Sequence, residues 1–322
     1  MNNTQHGSFP QRPRILFMGS PDFAVPALGA LIGQGHRIAG VVTQPDRPKG
    51  RGRRLTPTPV KDLAMETGLE IFDPVAASEA PFLERIRDLS LDLVVVVAYG
   101  QILKRDFLEI PAWGVLNIHA SLLPKYRGAA PIQWAILNDE KKTGLTAMQM
   151  EEGLDSGPIL AQEEVPIFPE ETAGQLHDRL ARLSGNFLVK TLEEMAEGRI
   201  LPRSQEDALA SYAPKIRREM AWIKWERPAS EVSALIRAMD PWPAAHSTLG
   251  EREVRLFLSG VEDESIRNGV PGRIRGLRKG ALEVETGMGT IFVRELQLAG
   301  KRRIPAEEFL RGFPMERDSR FG

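Results

Sequence analysis

Asn117 and His119 are two polar residues, two positions apart, in the otherwise apolar segment Val115–His119. Side chains alternate along a β-strand, so both groups point to one face while Leu116 and Ile118 point to the other. An amide N–H can stabilise a negative oxygen, and an imidazole can take up or release a proton near neutral pH. The carboxyl end of such a strand is where open α/β sheets bind ligands. The pair is therefore a catalytic candidate, with a purely structural histidine as the alternative.

Asp155 is the carboxylate that could join this pair. It lies in the turn-forming run 152–158, after the strand that ends at Met150. One interpretation is that it only caps this turn, as Asp commonly does. If the turn lies over the edge that carries Asn117 and His119, the carboxylate can accept from the imidazole, fix its tautomer and raise its affinity for a proton. No Cys and no second ligand at a suitable spacing accompanies His119, so we predict no metal.

Glycine-rich motifs for nucleotides are incomplete in this sequence. The first strand–helix turn, Met18–Phe23, lacks the second and third glycines of a dinucleotide fingerprint. Gly33 and Gly35 follow a helix and fit its C-terminal cap and turn. The run Gly50–Gly52 has no Gly-Lys-Ser/Thr ending. The sequence therefore argues against NAD and ATP.

The candidate residues need a sheet to position them, and residues 14–197 predict one. Four consecutive valines in the segment 92–98 indicate a strand that is buried on both faces, in the centre of a parallel sheet. We predict strands at 14–18, 37–43, 70–72, 92–98, 115–119, 145–150 and 159–167, and helices at 22–33, 59–67, 78–88, 102–108, 130–138 and 172–197. A long loop is predicted between residues 44 and 57. This alternation predicts a doubly wound, mostly parallel α/β domain of the Rossmann-like type.

The pattern changes after Gly198. One helix at 229–238, a last helix after Pro305 and strands at 254–258, 272–277, 282–285 and 290–298 predict a small β-barrel. The oligonucleotide-binding type is one candidate, and a β-sandwich fits the pattern nearly as well. The expected organisation is a flexible tail at 1–12, a catalytic domain at 13–198, a linker at 199–217 and the barrel domain at 218–322.

Composition limits the class of protein. The chain has 322 residues, of which 42% are hydrophobic and 26% charged, as in soluble globular proteins of two domains. It has no Cys, so disulfides and thiol chemistry are excluded and a cytoplasmic location is expected. The longest apolar run, Leu93–Tyr99, is too short to span a membrane. No apolar stripe is left without a place in the predicted cores, so we expect a monomer.

Charge is distributed unequally. The net charge is −1, but residues 199–322 carry 22 basic and 18 acidic residues against 20 and 25 in residues 1–198. In the basic half, the cations concentrate at Arg273, Arg275, Arg278, Lys279 and Lys301–Arg303. The acidic half contains one basic island, between Gln44 and Leu55. A polyanion responds to such local charge rather than to the total.

Several segments in order resemble one family. They are Val41–Gly52, Val95–Gly100, Asn117–His119, Ser121–Ile132 and Met148–Gly157, with further similarity at Tyr212–Lys215, Pro241–Pro243 and Ala299–Lys301. Together they resemble the methionyl-tRNA formyltransferases, which are folate-dependent formyltransferases, over nearly the whole chain. The resemblance implies transfer of the formyl group of 10-formyltetrahydrofolate to the α-amine of methionyl initiator tRNA in the bacterial cytoplasm.

The resemblance also assigns residues. It implies that Asn117, His119 and Asp155 carry catalysis, and that Ser121, Leu122, Leu123 and Pro124 line the folate pocket. It places Phe23 near the methionyl pocket and makes Arg51 the principal contact to the acceptor end of the tRNA. We add Lys49, Arg53 and Arg54 as phosphate contacts. The donor is an activated N-formyl group, so neither metal nor covalent enzyme intermediate is required.

Alternatives remain open at this stage. A formyltransferase or formyl hydrolase acting on a small substrate would use the same amide, imidazole and carboxylate, but would not need the basic island. A non-catalytic nucleic-acid-binding protein is the alternative from another class. The C-terminal cations are either a second tRNA contact or solubilising charges. Trp222, Trp225 and Trp242 are either stacking platforms or core residues.

Overall fold

The computed structural model describes residues 8–49, 54–265, 269–313 and 319–322. The chain forms two compact units that interleave in sequence. The first takes in Met1–Gly128, Gly144–Val165 and His177–Tyr212; the second takes in Ala129–Thr143, Pro166–Leu176 and Ala213–Gly322. The first unit thus continues past Gly198 into the stretch where a linker is expected.

The first unit is built on a seven-stranded sheet with the strand order β5-β2-β1-β6-β7-β8-β9. Its strands are β1 (Arg14–Gly19), β2 (Arg37–Val42), β5 (Ile71–Phe72), β6 (Leu93–Val97), β7 (Val115–His119), β8 (Lys142–Gln149) and β9 (Ile159–Pro166). The pairs from β5 to β7 are parallel, and β8 runs antiparallel to β7. The described sheet confirms the prediction of a doubly wound, mostly parallel class.

The helices of this part of the chain form largely where the apolar periodicity predicts them. They are α1 (Val25–Gly33), α2 (Pro59–Glu66), α3 (Ala80–Arg87), α4 (Arg105–Leu108), α5 (Pro131–Leu137) and α6 (Ala173–Ala196). α2 begins after Thr58, whose Oγ1 accepts from the N–H of Lys61 at 3.1 Å and caps the helix. α4 is a single turn, shorter than the predicted helix at 102–108, and α5 belongs to the second unit.

The strand order reverses between β1 and β6, and the chain leaves β1 through a tight turn. All five residues of β6 are buried, as its run of valines predicts for a central strand. Gly19 ends β1 beside Val97. A Cβ on Gly19 would lie 2.8 Å from Ala24 Cβ and 2.9 Å from the carbonyl oxygen of Val97. Only glycine fits there, so β1 can pass directly into the short 3₁₀ turn Asp22–Ala24 at the ligand edge of the sheet.

The long loop predicted between residues 44 and 57 is wrong in part. Arg47–Lys49 and Arg54–Thr56 form an antiparallel pair, β3 and β4, in which Lys49 faces Arg54 in register. Pro48 and the glycines of this stretch obscured a strand pattern in the sequence. The basic island therefore has a hairpin as its base.

The second unit is a six-stranded antiparallel sheet with helices. Its strands follow the order β10-β11-β14-β13-β12, with β15 paired to β14. They are β10 (His246–Leu249), β11 (Arg252–Asp263), β12 (Ile274–Arg278), β13 (Ala281–Glu285), β14 (Thr290–Leu298) and β15 (Ile304–Pro305), with α7 (Ala229–Ala238) and α8 (Ala306–Gly312). Aliphatic residues of these strands and of α5 and α7 form one core. An antiparallel β fold after the α/β part is confirmed.

Candidate active site

β7 places Asn117 and His119 at the carboxyl edge of the sheet. The strand lies between β6 and β8, so both side chains point out of one face of a strand that is paired on both sides. Asn117 is 8% exposed and His119 is 7% exposed. The predicted arrangement of two polar groups on one face at the ligand edge is therefore present.

The imidazole of His119 has two different neighbours. Its Nε2 lies 3.0 Å from the carbonyl oxygen of Tyr126, and its Nδ1 lies 3.7 Å from Oδ2 of Asp155. A carbonyl oxygen can only accept, so Nε2 carries a hydrogen in this geometry. Nδ1 is then the nitrogen that gains or loses a proton. The carbonyl of Tyr126, rather than Asp155, fixes the tautomer of the ring.

Asp155 faces the imidazole without a direct hydrogen bond to it. A separation of 3.7 Å is too long for a hydrogen bond but within ion-pair range once Nδ1 is protonated. The side chain is 15% exposed, so water screens this attraction only partly. Oδ2 also accepts from the N–H of Gly128 at 2.8 Å. The main chain of Asp155 is left-handed, with φ of 51°.

The side chain of Asn117 is mostly buried. Its amide is not among the described side-chain atoms that are fully buried without a hydrogen-bond partner. Its N–H groups can donate to an oxygen that develops negative charge above the strand.

The stretch predicted to line a folate pocket follows β7 directly. Ser121 and Leu123 are buried, and the hydroxyl of Ser121 donates to the carbonyl of Lys125 at 2.6 Å. Leu122 and Pro124 are half-buried and expose apolar surface. Thr146 Oγ1 donates to the carbonyl of Ser121 at 2.6 Å and accepts from the N–H of Leu123 at 3.1 Å. The stretch is therefore held by its main chain, with two of its side chains available for an apolar ligand.

Phe23, the predicted contact near the methionyl pocket, lies in the 3₁₀ turn after β1. It is 6% exposed, and its ring lies 5.3 Å from the ring of His177.

Elsewhere in the first unit, Gln44 Nε2 donates to the carbonyl of Tyr99 at 2.9 Å. Burial raises the pKa of the Tyr99 phenol to about 12, so it stays neutral at physiological pH.

The predicted tRNA contacts lie on the β3–β4 hairpin and beyond its described residues. Arg51 and Arg53 lie outside the described residues, and of Lys49 only the main chain is described, as the last residue of β3. Arg54 begins β4 with an exposed side chain. Their roles stay predictions.

The C-terminal arginines form ion pairs. Arg273 Nη2 donates to Glu285 Oε1 at 2.6 Å, and Arg275 Nη1 donates to Glu283 Oε1 at 2.9 Å. Further pairs join Arg278 to Glu262, Arg302 to Glu308, and Arg303 to Asp240 and Glu295. Most of these cations are therefore already neutralised within the second unit.

The three tryptophans differ. Trp225 is 3% exposed, stacks on Phe321 and donates to Ser247 Oγ at 2.9 Å, so it is a core residue. Trp222 packs edge-on against His246 and, like Trp242, remains partly exposed.

The described part of the chain shows neither a metal-ligand cluster nor a membrane-spanning helix. No group of three or more His, Asp or Glu side chains is arranged to hold a metal ion. None of the described helices combines the length and the hydropathy required to cross a bilayer.

Two family models match the chain on either side of residue 200. The model of the formyl transferases matches residues 13–192, and the model of the formyl transferase C-terminal domain matches residues 215–314. The chain belongs to the formyl transferase family. The resemblance drawn from the sequence motifs is confirmed, and so is the prediction of an enzyme of the transferase class.

Relatives of this formyl transferase match it nearly end to end. It is 47% identical over 302 residues to the methionyl-tRNA formyltransferase of Pelotomaculum thermopropionicum, which covers 94% of this chain and 96% of the relative. It is 45% identical over 308 residues to the methionyl-tRNA formyltransferase of Pelobacter propionicus, covering 96% of each.

Solved structures share the fold. HypX from Aquifex aeolicus in complex with tetrahydrofolic acid matches with a TM-score of 0.64 and 20% identity, over 97% of this chain and 51% of HypX. The chain thus spans about half the length of HypX. WlaRD, a sugar 3N-formyl transferase crystallised in the presence of dTDP and 5-N-formyl-THF, matches with a TM-score of 0.66 and 19% identity, over 91% of this chain and all of WlaRD.

Some residues that shape the site carried no signal in the sequence analysis. The carbonyl of Tyr126 and the N–H of Gly128 are main-chain groups, which every residue type supplies. The side chain of Gln205 contacts the Asp155 turn, and the side chain of Arg127 contacts Gln205, but Gln205 is 50 residues away from Asp155 in sequence. Only the turn-like composition around Asp155 pointed to this region.

Proposed function

We propose that this formyl transferase moves the formyl group of 10-formyltetrahydrofolate to the α-amine of methionyl initiator tRNA. The similarity to methionyl-tRNA formyltransferases along both units is the observation that carries the proposal. If the acceptor contacted only the first unit, the reaction would not require the similarity to these enzymes to extend throughout the second unit. The site geometry supports the reaction type independently.

The chemistry needs an oxyanion donor and a group that moves a proton. When the neutral amine attacks the formyl carbon, the carbonyl oxygen becomes negative and the amine nitrogen positive. The amide N–H of Asn117 stabilises the oxygen from the start, and the imidazole of His119 contributes only after Nδ1 has taken up a proton. His119 Nδ1 accepts the proton of the incoming amine and returns it to the departing folate nitrogen as the carbon–nitrogen bond breaks. Nε2 of His119 stays hydrogen-bonded to the carbonyl of Tyr126 throughout the reaction.

Asp155 supports this proton transfer electrostatically. A carboxylate 3.7 Å from Nδ1 stabilises the imidazolium, because opposite charges at that distance attract in a partly dehydrated site. Asp155 needs to gain no proton for this role. Leu122 and Pro124 offer apolar surface beside the strand end for the donor's ring system. The residues present therefore fit a folate donor, and no step in this sequence requires a metal.

We further propose that the basic hairpin contacts the tRNA. Arg54 is exposed on β4, and Lys49, Arg51 and Arg53 belong to the same basic island. A hairpin that concentrates cations near the ligand edge of an acidic unit suits the phosphates of an acceptor end.

One assay decides among acceptors. The purified enzyme is given 10-formyltetrahydrofolate with methionyl-tRNA, free methionine or an amino sugar in parallel, and formate release is measured without acceptor. We expect formylation of the charged tRNA only. Transfer to the amino sugar, or release of formate as the main product, would contradict the proposal.

A further inference from the structure

Gln205 uses the full hydrogen-bonding capacity of its side-chain amide. Its Oε1 accepts from Arg127 Nε at 3.0 Å and from Arg127 Nη2 at 2.9 Å. Its Nε2 donates to the carbonyl oxygens of Asp155 at 2.8 Å and of Gly157 at 2.7 Å. A primary amide has two N–H groups and two acceptor sites, so none is left for a substrate. Gln205 can act on the reaction only through the groups it holds.

The turn that Gln205 holds needs external support. Asp155 is left-handed at φ of 51°, which costs free energy for a residue with a Cβ. Gly157 passes so close to β8 that a Cβ would lie 1.8 Å from the carbonyl oxygen of Gln149. The turn is thus fixed by partners outside itself. Gln205 donates to two carbonyls of this turn, those of Asp155 and Gly157.

Arg127 closes a ring of contacts around Asp155. It is 3% exposed, and its Nη1 pairs with Oδ1 of Asp207 at 2.9 Å. Arg127 directly precedes Gly128, whose N–H binds the Asp155 carboxylate at 2.8 Å. The N–H of Gly128, next to Arg127, therefore binds the carboxylate of Asp155, and Gln205, which the Arg127 side chain binds, holds the main-chain carbonyl of the same residue.

We propose that Gln205 is a positioning residue that keeps the Asp155 carboxylate facing His119 Nδ1. This inference rests on the proposed function and extends it to the segment after Gly198, which the sequence had indicated as a linker. Loss of the two donated hydrogen bonds lets the turn relax and moves the carboxylate away from the imidazole. The rate of proton transfer then falls, whereas substrate binding does not, because every hydrogen-bonding group of the Gln205 amide is used within the protein.

Two variants separate the contacts of Gln205. Gln205→Ala removes all four hydrogen bonds. Gln205→Glu keeps the shape and the acceptor for Arg127, but as a carboxylate it has no N–H for the carbonyls of Asp155 and Gly157. Gln11→Ala is the matched control, because Gln11 Nε2 also donates to a carbonyl, that of Ala196 at 3.1 Å, on an exposed surface of the same unit.

Steady-state formylation of methionyl-tRNA and thermal unfolding are measured for all variants. We expect both Gln205 variants to lower kcat, up to about a hundredfold, with KM for donor and tRNA within about twofold of wild type. Gln11→Ala is expected to retain the wild-type kcat. Hydrogen exchange of the Gly128 amide should become about tenfold faster in Gln205→Glu, because its acceptor is the Asp155 carboxylate.

The outcomes are distinguishable. If Gln205→Glu keeps the wild-type kcat and the exchange rate of Gly128, the positioning role is overturned, and Gln205 serves only to pair with Arg127. A rise in KM at unchanged kcat overturns it as well. If wild type itself fails to formylate methionyl-tRNA, the proposed function fails, whereas the exchange of the Gly128 amide still tests whether Gln205 holds Asp155.

Discussion

At the scale of single residues, the site is organised around one nitrogen. Tyr126 holds Nε2 of His119 from one side with a group that can only accept, at 3.0 Å. The ring therefore has one orientation, and Nδ1 is the nitrogen that faces Asp155. Asp155 lies 3.7 Å from that atom, outside hydrogen-bond distance but within ion-pair range.

Replacing His119 by Gln tests whether Nδ1 of His119 accepts the proton in the transfer. The Nε2 of a glutamine can still donate to the carbonyl of Tyr126, so folding should be preserved, but no group remains that accepts a proton. We expect kcat to fall by about a hundredfold to ten-thousandfold, with a thermal midpoint close to that of wild type. Formylation kinetics and thermal unfolding check this. Near-normal turnover would remove His119 from the proton transfer.

The sequence predicted the side chains of this site but not what holds them. The spacing of Asn117 and His119 was enough to place both on one face of a strand, because a strand repeats every two residues. The partners of His119 and Asp155 are the carbonyl of Tyr126 and the N–H of Gly128. These are main-chain groups that all residue types except proline supply, so the residue types in the sequence do not indicate them.

At the scale of elements, the basic island is attached to the sheet edge through a defined hairpin. β3 and β4 pair in register from Arg47 with Thr56 to Lys49 with Arg54. The two strands carry Arg47 and Arg54, and the island around them is rich in cations, which raises the local positive potential. A phosphate is the natural counter-charge for such a cluster, and Arg presents a planar fork that suits it.

Arg51→Ala tests this element by its salt dependence. Removal of one phosphate contact should raise KM for methionyl-tRNA and lower the slope of log KM against log salt by about 1. Arg37→Ala is the control, because Arg37 is an exposed cation at the opposite, amino end of β2. Its slope should equal that of wild type. The same slope for Arg51→Ala as for wild type would count against a phosphate contact.

Elements with a strong period were predictable, and those shaped by tertiary contacts were not. β6 was recognisable from its valines, and α6 was predicted to within one residue at each end. β10 was missed because its residues, His246–Leu249, include only one aliphatic side chain. The β3–β4 hairpin was missed because Pro and Gly are depleted in strands and read as a loop.

At the scale of the whole molecule, the excess of basic residues in the C-terminal half overstates its free positive charge. The arginines of β12 and of residues 302 and 303 pair with carboxylates of the same unit. Within the described residues, Lys279 and Lys301 have no acidic partner. The stability of the second unit should therefore respond to the paired arginines more than to Lys279 or Lys301.

Glu285 shows how a paired carboxylate stabilises the second unit. It is 2% exposed. Burial opposes its ionisation, but hydrogen bonds from Arg273 and the N–H of Val270, with the charges of Arg273 and Arg275, outweigh burial and lower its pKa below 4.5. A lowered pKa means that the carboxylate contributes stability at neutral pH, and that this contribution is lost as the pH falls below 4.5 through the folded-state pKa.

Glu285→Gln should therefore lower the free energy of unfolding by about 2 kcal/mol at pH 7, because a charged acceptor is lost beside two arginines. Urea unfolding at neutral pH and at about pH 3 measures the difference between wild type and variant, which should shrink in acid as the wild-type carboxylate is protonated. Glu251→Gln changes the net charge equally at an exposed turn and should show no such difference at either pH. If the two variants behave alike, the buried carboxylate of Glu285 does not stabilise the second unit through its arginine partners.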